Sequence, residues 1–156
     1  RLEARLLFAA FGHTLPPTVE PRDDQRPRRT KRADLRLGRG DARSALPQAN
    51  AAIVADSANA AGWRLMARAA NAIEPRDYRE RWELRERAVA AAYLAYQRST
   101  NRNDEAASLG VLARTFEKNE LWRPALTTYR LSLDLAANSA LQSSYESLRE
   151  KRGFVR

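Results

Sequence analysis

The sequence of 156 residues contains no cysteine and a single histidine, His13. The lack of cysteine excludes disulfide bonds and cysteine-bearing zinc sites, and one histidine leaves no pair for a metal centre or an activated nucleophile. No glycine-rich phosphate loop is present among its six glycines, and the longest apolar run, Ala88 to Tyr96, is too short to span a bilayer. We therefore expect no enzymatic activity, no metal, no cofactor and no transmembrane segment.

The composition is that of an ordinary globular chain. It has 44% hydrophobic residues and seven prolines, and its length corresponds to one domain. Because the chain starts at Arg1 and not at a methionine, we expect it to be an excised or processed segment of a longer protein.

The clearest pattern lies between Ala106 and Leu135. Its first half carries Leu109, Leu112, Ala113 and Phe116 at helical spacing, and its second half carries Ala125, Tyr129, Ser132 and Leu133. The polar residues 117–120 between them predict a short turn and therefore two antiparallel helices. The order of small and aromatic positions matches the tetratricopeptide pattern, except that Ala137 replaces its closing proline.

Similar spacing recurs elsewhere in the chain. Ala33 and Ala45 are as far apart as Ala113 and Ala125, and the turn between them contains Gly40 and Asp41. We expect a helix over 42–54 that either starts near Leu46 or kinks at Pro47. Further helices are expected at 59–72, at 82–99 after an insert containing Pro75, and at 139–151 as a cap. The predicted fold is all-α, a tetratricopeptide-like helical repeat of about three antiparallel pairs with a C-terminal capping helix.

The remaining residues divide the chain. Apolar residues from Leu2 to Phe11 predict a short helix, and a Pro/Arg-rich linker follows, so we assign residues 1–29 to a helix plus linker. Residues 30–152 form the repeat domain, and residues 153–156 begin a connection to a following domain.

Much of the formal charge of +9 lies between Arg22 and Arg43, a segment that contains nine basic and four acidic residues. The candidates in this basic cluster are Arg26, Arg28, Arg29, Lys31, Arg32 and Arg36. They could bind nucleic acid or an anionic surface, which is the alternative function. The cluster contains no aromatic residue for stacking on bases, and a solvated linker and helix face also explains it.

Repeats of this type bind peptides along the first helix of each pair. By that logic the groove candidates are Arg64, Arg68, Asn71, Arg114 and Lys118, which could hold an acidic peptide or a chain-terminal carboxylate. Solvated surface charges are the alternative explanation. The predicted function is a non-catalytic scaffold that binds protein segments or other domains of the same polypeptide.

Several longer motifs carry a more specific likeness. They are Pro75-Arg76-Asp77-Tyr78, Ala91-Ala92-Tyr93-Leu94-Ala95-Tyr96-Gln97-Arg98, Trp122-Arg123-Pro124-Ala125-Leu126 and the ending from Tyr145 to Phe154. From Trp63 onwards the chain resembles the N-terminal helical region of bacterial alpha-2-macroglobulin family proteins. The resemblance implies a periplasmic protease inhibitor of a kind often anchored to the membrane, whose trapping chemistry lies downstream of these residues.

Overall fold

The computed structural model describes residues 26–153, and for residues 26–29 the backbone alone. This part of the chain folds into seven α-helices and contains no β-strand. They are α1 (Arg26–Gly38), α2 (Ala42–Ala55), α3 (Ala60–Ala72), α4 (Tyr78–Gln97), α5 (Arg102–Lys118), α6 (Trp122–Leu135) and α7 (Ser139–Lys151). The predicted all-α class is confirmed, whereas the helix expected at residues 2–11, and His13, lie outside the described residues.

Polar side chains set where most of these helices begin. The caps at the starts of α2, α3, α4, α5 and α7 each accept a hydrogen bond from a backbone N–H of the first turn; they are Asp41, Asn59, Asp77, Asn101 and Asn138. Because of these caps, α4 starts four residues before the predicted Trp82, and α5 four residues before Ala106. Their first turns are charged, so hydrophobic spacing alone does not reveal them.

Two helices differ from the prediction because of proline. Helix α1 begins at Arg26 with Pro27 in its first turn, where a missing N–H costs little, so residues 26–29 are helical and not linker. Helix α2 begins at Ala42 and continues through Pro47, so a start near Leu46 is wrong. The Asp41 carboxylate accepts the Ser44 N–H at 3.1 Å and fixes this earlier start.

Each helix packs against the next along the chain, and α3 additionally packs against both α1 and α5. Small residues at the contacts, including Ala33, Ala67 and Ala113, are fully buried and allow the close approach. The largest fully buried side chains are those of Trp63, Tyr129, Ile53, Met66 and Leu94.

Helix α7 lies across the last two helices. Its residues Leu141 and Leu148 are buried, and a Cβ at Gly110 of α5 would lie only 2.8 Å from Leu141 Cδ1. After α7, the guanidinium of Arg152 lies 3.7 Å from the ring centroid of Trp122.

The turns after α1 and α5 have the same hydrogen bonds, although they are 80 positions apart. Asp41 N donates to Arg36 O and Leu121 N to Phe116 O, both at 2.9 Å. The left-handed position is Gly40 (φ 76°) in the first turn and Glu120 (φ 61°) in the second. The two helix–turn–helix segments therefore share one local geometry despite different sequences.

The insert between α3 and α4 is held by one arginine. Arg43 of α2 donates to both carboxylate oxygens of Glu80, at 2.6 and 3.1 Å, and to the backbone oxygen of Glu74 at 2.7 Å. Beneath this contact, a second apolar cluster fills the space between α2, α3 and α4; it contains Ala42, Ala70, Ile73, Leu84 and Ala88. The insert is therefore packed on the helices on either side of it.

Candidate functional site

The groove candidates of α3 hold neighbouring helices. Arg64 Nη1 donates to the Asp104 carboxylate and, at 3.0 Å, to Ser108 Oγ, both on α5. Asn71 Nδ2 donates to Thr115 Oγ1 of α5 at 2.7 Å. Arg68 contacts the other neighbouring helix, α1, where it pairs with Asp34 at 2.8 Å. These three residues therefore have a structural role that the sequence did not predict.

The groove candidates of α5, Arg114 and Lys118, are exposed and form no ion pair with any described residue. Ser108 and Thr115 mark the side of α5 that faces α3, and Gly110 marks the side that faces α7. At 100° per residue, Arg114 and Lys118 lie between these two sides. They point away from the core, on the surface formed by the odd-numbered helices.

A shallow cavity of about 380 Å³ lies between α1 and α3 on this surface. Its polar lining includes Thr30, Lys31 and Asp34 of α1 and Arg64 and Arg68 of α3. The fold thus brings one member of the basic cluster next to two groove candidates. We call this cavity and the exposed side chains of α5 the odd-helix face.

A second cavity, of about 220 Å³, lies where α3 and α5 end and α4 begins. It is lined by two further groove candidates, Asn71 and Lys118, together with Ala70, Ile73, Glu74, Pro75, Arg81, Leu84, Arg85 and Asn119. Three cations and one carboxylate belong to this set. We call it the end cavity.

The side chains of the basic cluster differ in their exposure and in their pairing. Lys31 and Arg32 are exposed on α1, whereas Arg36 pairs with Asp41 at 3.3 Å. The side chains of Arg26, Arg28 and Arg29 lie outside the described residues.

Two exposed aromatic residues near the end cavity were missed by the sequence reasoning. Tyr78 is 70% and Trp82 47% exposed, and their rings meet edge to face with centroids 6.1 Å apart. The guanidinium of Arg85 lies 5.9 Å from the Trp82 centroid. The spacing of Tyr78, Trp82 and Arg85 along one helix side was visible in the sequence, but only with a helix start at Asp77.

Among the described ionisable groups with shifted pKa values, Glu80 and Tyr129 show the largest changes. The hydrogen bonds from Arg43, followed by that from the Arg76 backbone N–H, lower the pKa of Glu80 from 4.5 to about 2. Burial, together with the 2.6 Å hydrogen bond to Glu117, raises the pKa of Tyr129. Both groups form hydrogen bonds between helices, Glu80 with α2 and Tyr129 with α5.

Across residues 26–153, no cluster of His, Cys, Asp or Glu is arranged to bind a metal ion. Helices long and apolar enough to cross a membrane are likewise absent from this range. Comparison with protein-family models, with curated proteins and with solved structures finds no match.

Proposed function

We propose that this chain is a non-catalytic, tetratricopeptide-like module that binds acidic peptide segments of other proteins on its odd-helix face. The observation that carries the proposal is the set of exposed, unpaired cations on that face, Lys31, Arg114 and Lys118, above a scaffold already fixed by its own hydrogen bonds. Rigid surfaces lose little conformational freedom on binding, so charge complementarity there translates into affinity.

The repeat arrangement is supported by two features. The turns at Gly40 and Glu120 have matching hydrogen bonds, and α1, α3 and α5 pack side by side while each also packs on its successor. Repeats whose first helices adjoin in this way present a continuous surface for an extended ligand.

We also propose that the parent is a bacterial alpha-2-macroglobulin-like protease inhibitor of the periplasm, in which these helices position a partner or another domain. The support for this proposal is the sequence resemblance from Trp63 onwards. No residue of the described chain would take part in trapping a protease.

Binding of a fluorescent, glutamate-rich peptide with a free C-terminus, measured by anisotropy, tests the function. We expect binding that survives physiological salt and weakens at least tenfold in Lys31→Glu and in Arg114→Glu, since each change reverses a charge on the odd-helix face. Arg130→Glu, an exposed residue of α6, is the matched control and should bind like the unchanged protein.

An amidated version of the same peptide shows whether the terminal carboxylate contributes. Equal binding by Arg114→Glu and Arg130→Glu would refute the odd-helix face. If the chain does not bind the peptide but binds mixed-sequence DNA with a steep salt dependence, the basic adaptor function would replace this proposal.

A further inference from the structure

The beginning of α4 presents an unusual exposed surface. Tyr78 and Trp82 lie one helical turn apart, and both are largely accessible to solvent. Tyrosine, tryptophan and arginine are the residues most enriched at the energetic centres of protein interfaces, and all three occur here together. Most of the Tyr78 surface and nearly half of the Trp82 surface are open to solvent among the described residues.

Arg85 connects the aromatic pair to the end cavity. Its guanidinium lies beside the Trp82 ring and also lines the cavity, together with Arg81 and Lys118. Glu74 is the single carboxylate in that lining, so the cavity has an excess of two positive charges. A ligand carboxylate is the group that this charge distribution favours.

The inner wall of the cavity suits a peptide better than an inorganic anion. Ala70, Ile73 and Leu84 form an apolar wall, and the amide oxygen of Asn119 is buried without a hydrogen-bond partner among the described residues. A peptide offers both an N–H donor for that oxygen and apolar groups for this wall, whereas an inorganic phosphate has no apolar group.

The outer surface of α4 argues against nucleic acid. Between Tyr78 and Arg87 its arginines alternate with Glu80, Glu83 and Glu86. Binding along a phosphate backbone requires a continuous positive surface, and the exposed carboxylates of Glu83 and Glu86 would repel phosphate groups.

We propose that the start of α4 and the end cavity form a second binding surface, which receives a peptide segment that presents a side-chain carboxylate next to an apolar side chain. The carboxylate enters the cavity between Arg81, Arg85 and Lys118. The apolar side chain packs on Tyr78 and Trp82. This surface adjoins the odd-helix face, with which it shares Lys118, but its other residues belong to α4 and to the ends of α3 and α5.

The tryptophan indole signals of the ¹⁵N-labelled chain test the proposal. The probe is a peptide amide made of Glu, Phe and Gly, and the control peptide has Lys in place of Glu. We expect the Trp82 signal to shift with the acidic peptide alone. The Trp63 signal should stay unchanged, because this ring is fully buried and donates to Ser57 O at 2.8 Å.

Substitutions test which residues form the second binding surface. Arg81→Glu and Trp82→Ala change exposed residues, and each should weaken binding at least tenfold with an unchanged circular dichroism spectrum. Arg79→Glu is the matched control, since Arg79 is 89% exposed on the same helix but pairs with Glu83 away from the cavity. It should bind the acidic peptide normally.

The outcomes separate this surface from the odd-helix face. Binding that needs Arg114 and leaves the Trp82 signal unmoved would overturn the second surface and leave the proposed function standing. Equal shifts with the acidic and the basic peptide, or a shift with oligouridine alone, would also overturn it.

Discussion

Glu80 and Arg43 form the contact that attaches the insert to the helix preceding it. Both oxygens of the carboxylate bind the guanidinium, and one also accepts the backbone N–H of Arg76 at 2.5 Å. A single side chain thus connects α2, the insert and the first turn of α4. The contact is solvent-accessible, so its effect should depend on pH and on salt.

Stability should therefore fall in acid partly through Glu80. Because its pKa is about 2 in the folded chain and 4.5 ordinarily, the carboxylate stabilises the fold above pH 4.5, and this contribution disappears as the pH falls towards 2. We expect Glu80→Gln to lower the urea midpoint at neutral pH and to make the loss between neutral pH and pH about 3 shallower.

Glu83→Gln is the control for this prediction, because Glu83 forms an exposed pair with Arg79 within one helix. Its acid transition should resemble that of the unchanged protein. Identical pH profiles for Glu80→Gln and the unchanged protein would show that the contact contributes nothing to stability.

For a single residue, the side of the helix on which it lies was easier to predict than the residue to which it binds. The spacing of Arg64, Arg68 and Asn71 puts them on one side of a helix, and the structure has them there. Their partners Asp34, Asp104 and Thr115 belong to other helices, up to 44 positions away. Periodicity describes one helix at a time, so it cannot distinguish a binding groove from contacts between helices.

The helices themselves were largely predictable from alanine and aromatic spacing. The bounds of α7 agree with the predicted 139–151, and the predicted core positions of α5, from Leu109 to Phe116, are buried. The errors occur where polar caps extend a helix beyond its apolar stripe, as in α4 and α5. Capping residues such as Asp77 and Asn101 were present in the sequence, but they are also common in loops.

Comparison of the two matching turns predicts substitutions in the second turn that would stabilise the fold. In the turn after α5, Glu120 occupies a left-handed position, and Leu121 gives α6 no side-chain cap. The equivalent residues after α1, Gly40 and Asp41, satisfy both requirements. We expect Glu120→Gly to stabilise the chain by about 0.5–1 kcal/mol. Leu121→Asp should add about 1 kcal/mol, as judged from urea unfolding.

The reverse changes provide the control. Gly40→Glu and Asp41→Leu should lower stability by similar amounts, because they create the unfavourable arrangement in the first turn. If Glu120→Gly were destabilising, the side chain of Glu120 would have to make a contact that outweighs its backbone conformation.

In the whole molecule, the helices differ in how firmly they are held. Eight of the thirteen residues of α3 are buried, and α3 touches α1, α2, α4 and α5. Only Leu141 and Leu148 are buried in α7, which also has thirteen residues. Stability in a stack of helices is therefore greatest in the middle and decreases towards both ends.

Hydrogen exchange followed by mass spectrometry should reveal this gradient. We expect the slowest exchange in α3, α4 and α5 and the fastest in α1 and α7, because the end helices have fewer neighbours. Leu141→Ala should accelerate exchange in α7 and leave α3 unchanged. Uniform protection across all seven helices would contradict the gradient and indicate a single cooperative unit.

The surface on α4 illustrates what sequence reasoning missed. Its residues come from the end of α3, the start of α4 and the end of α5, and they meet only after these helices pack. Asn71 and Lys118 were singled out as groove residues, but they line the end cavity. Combining residues from three elements requires the relative positions of the helices, which local patterns do not contain.

The links that α3 makes to both of its odd-numbered neighbours also affect how the molecule deforms. Arg68 holds α1, while Arg64 and Asn71 hold α5, all from one side of one helix. A bend that opens this side must stretch these links, whereas a bend in the opposite direction leaves them intact. The elasticity of the protein is therefore directional: it resists bending that opens this side more strongly than bending that closes it.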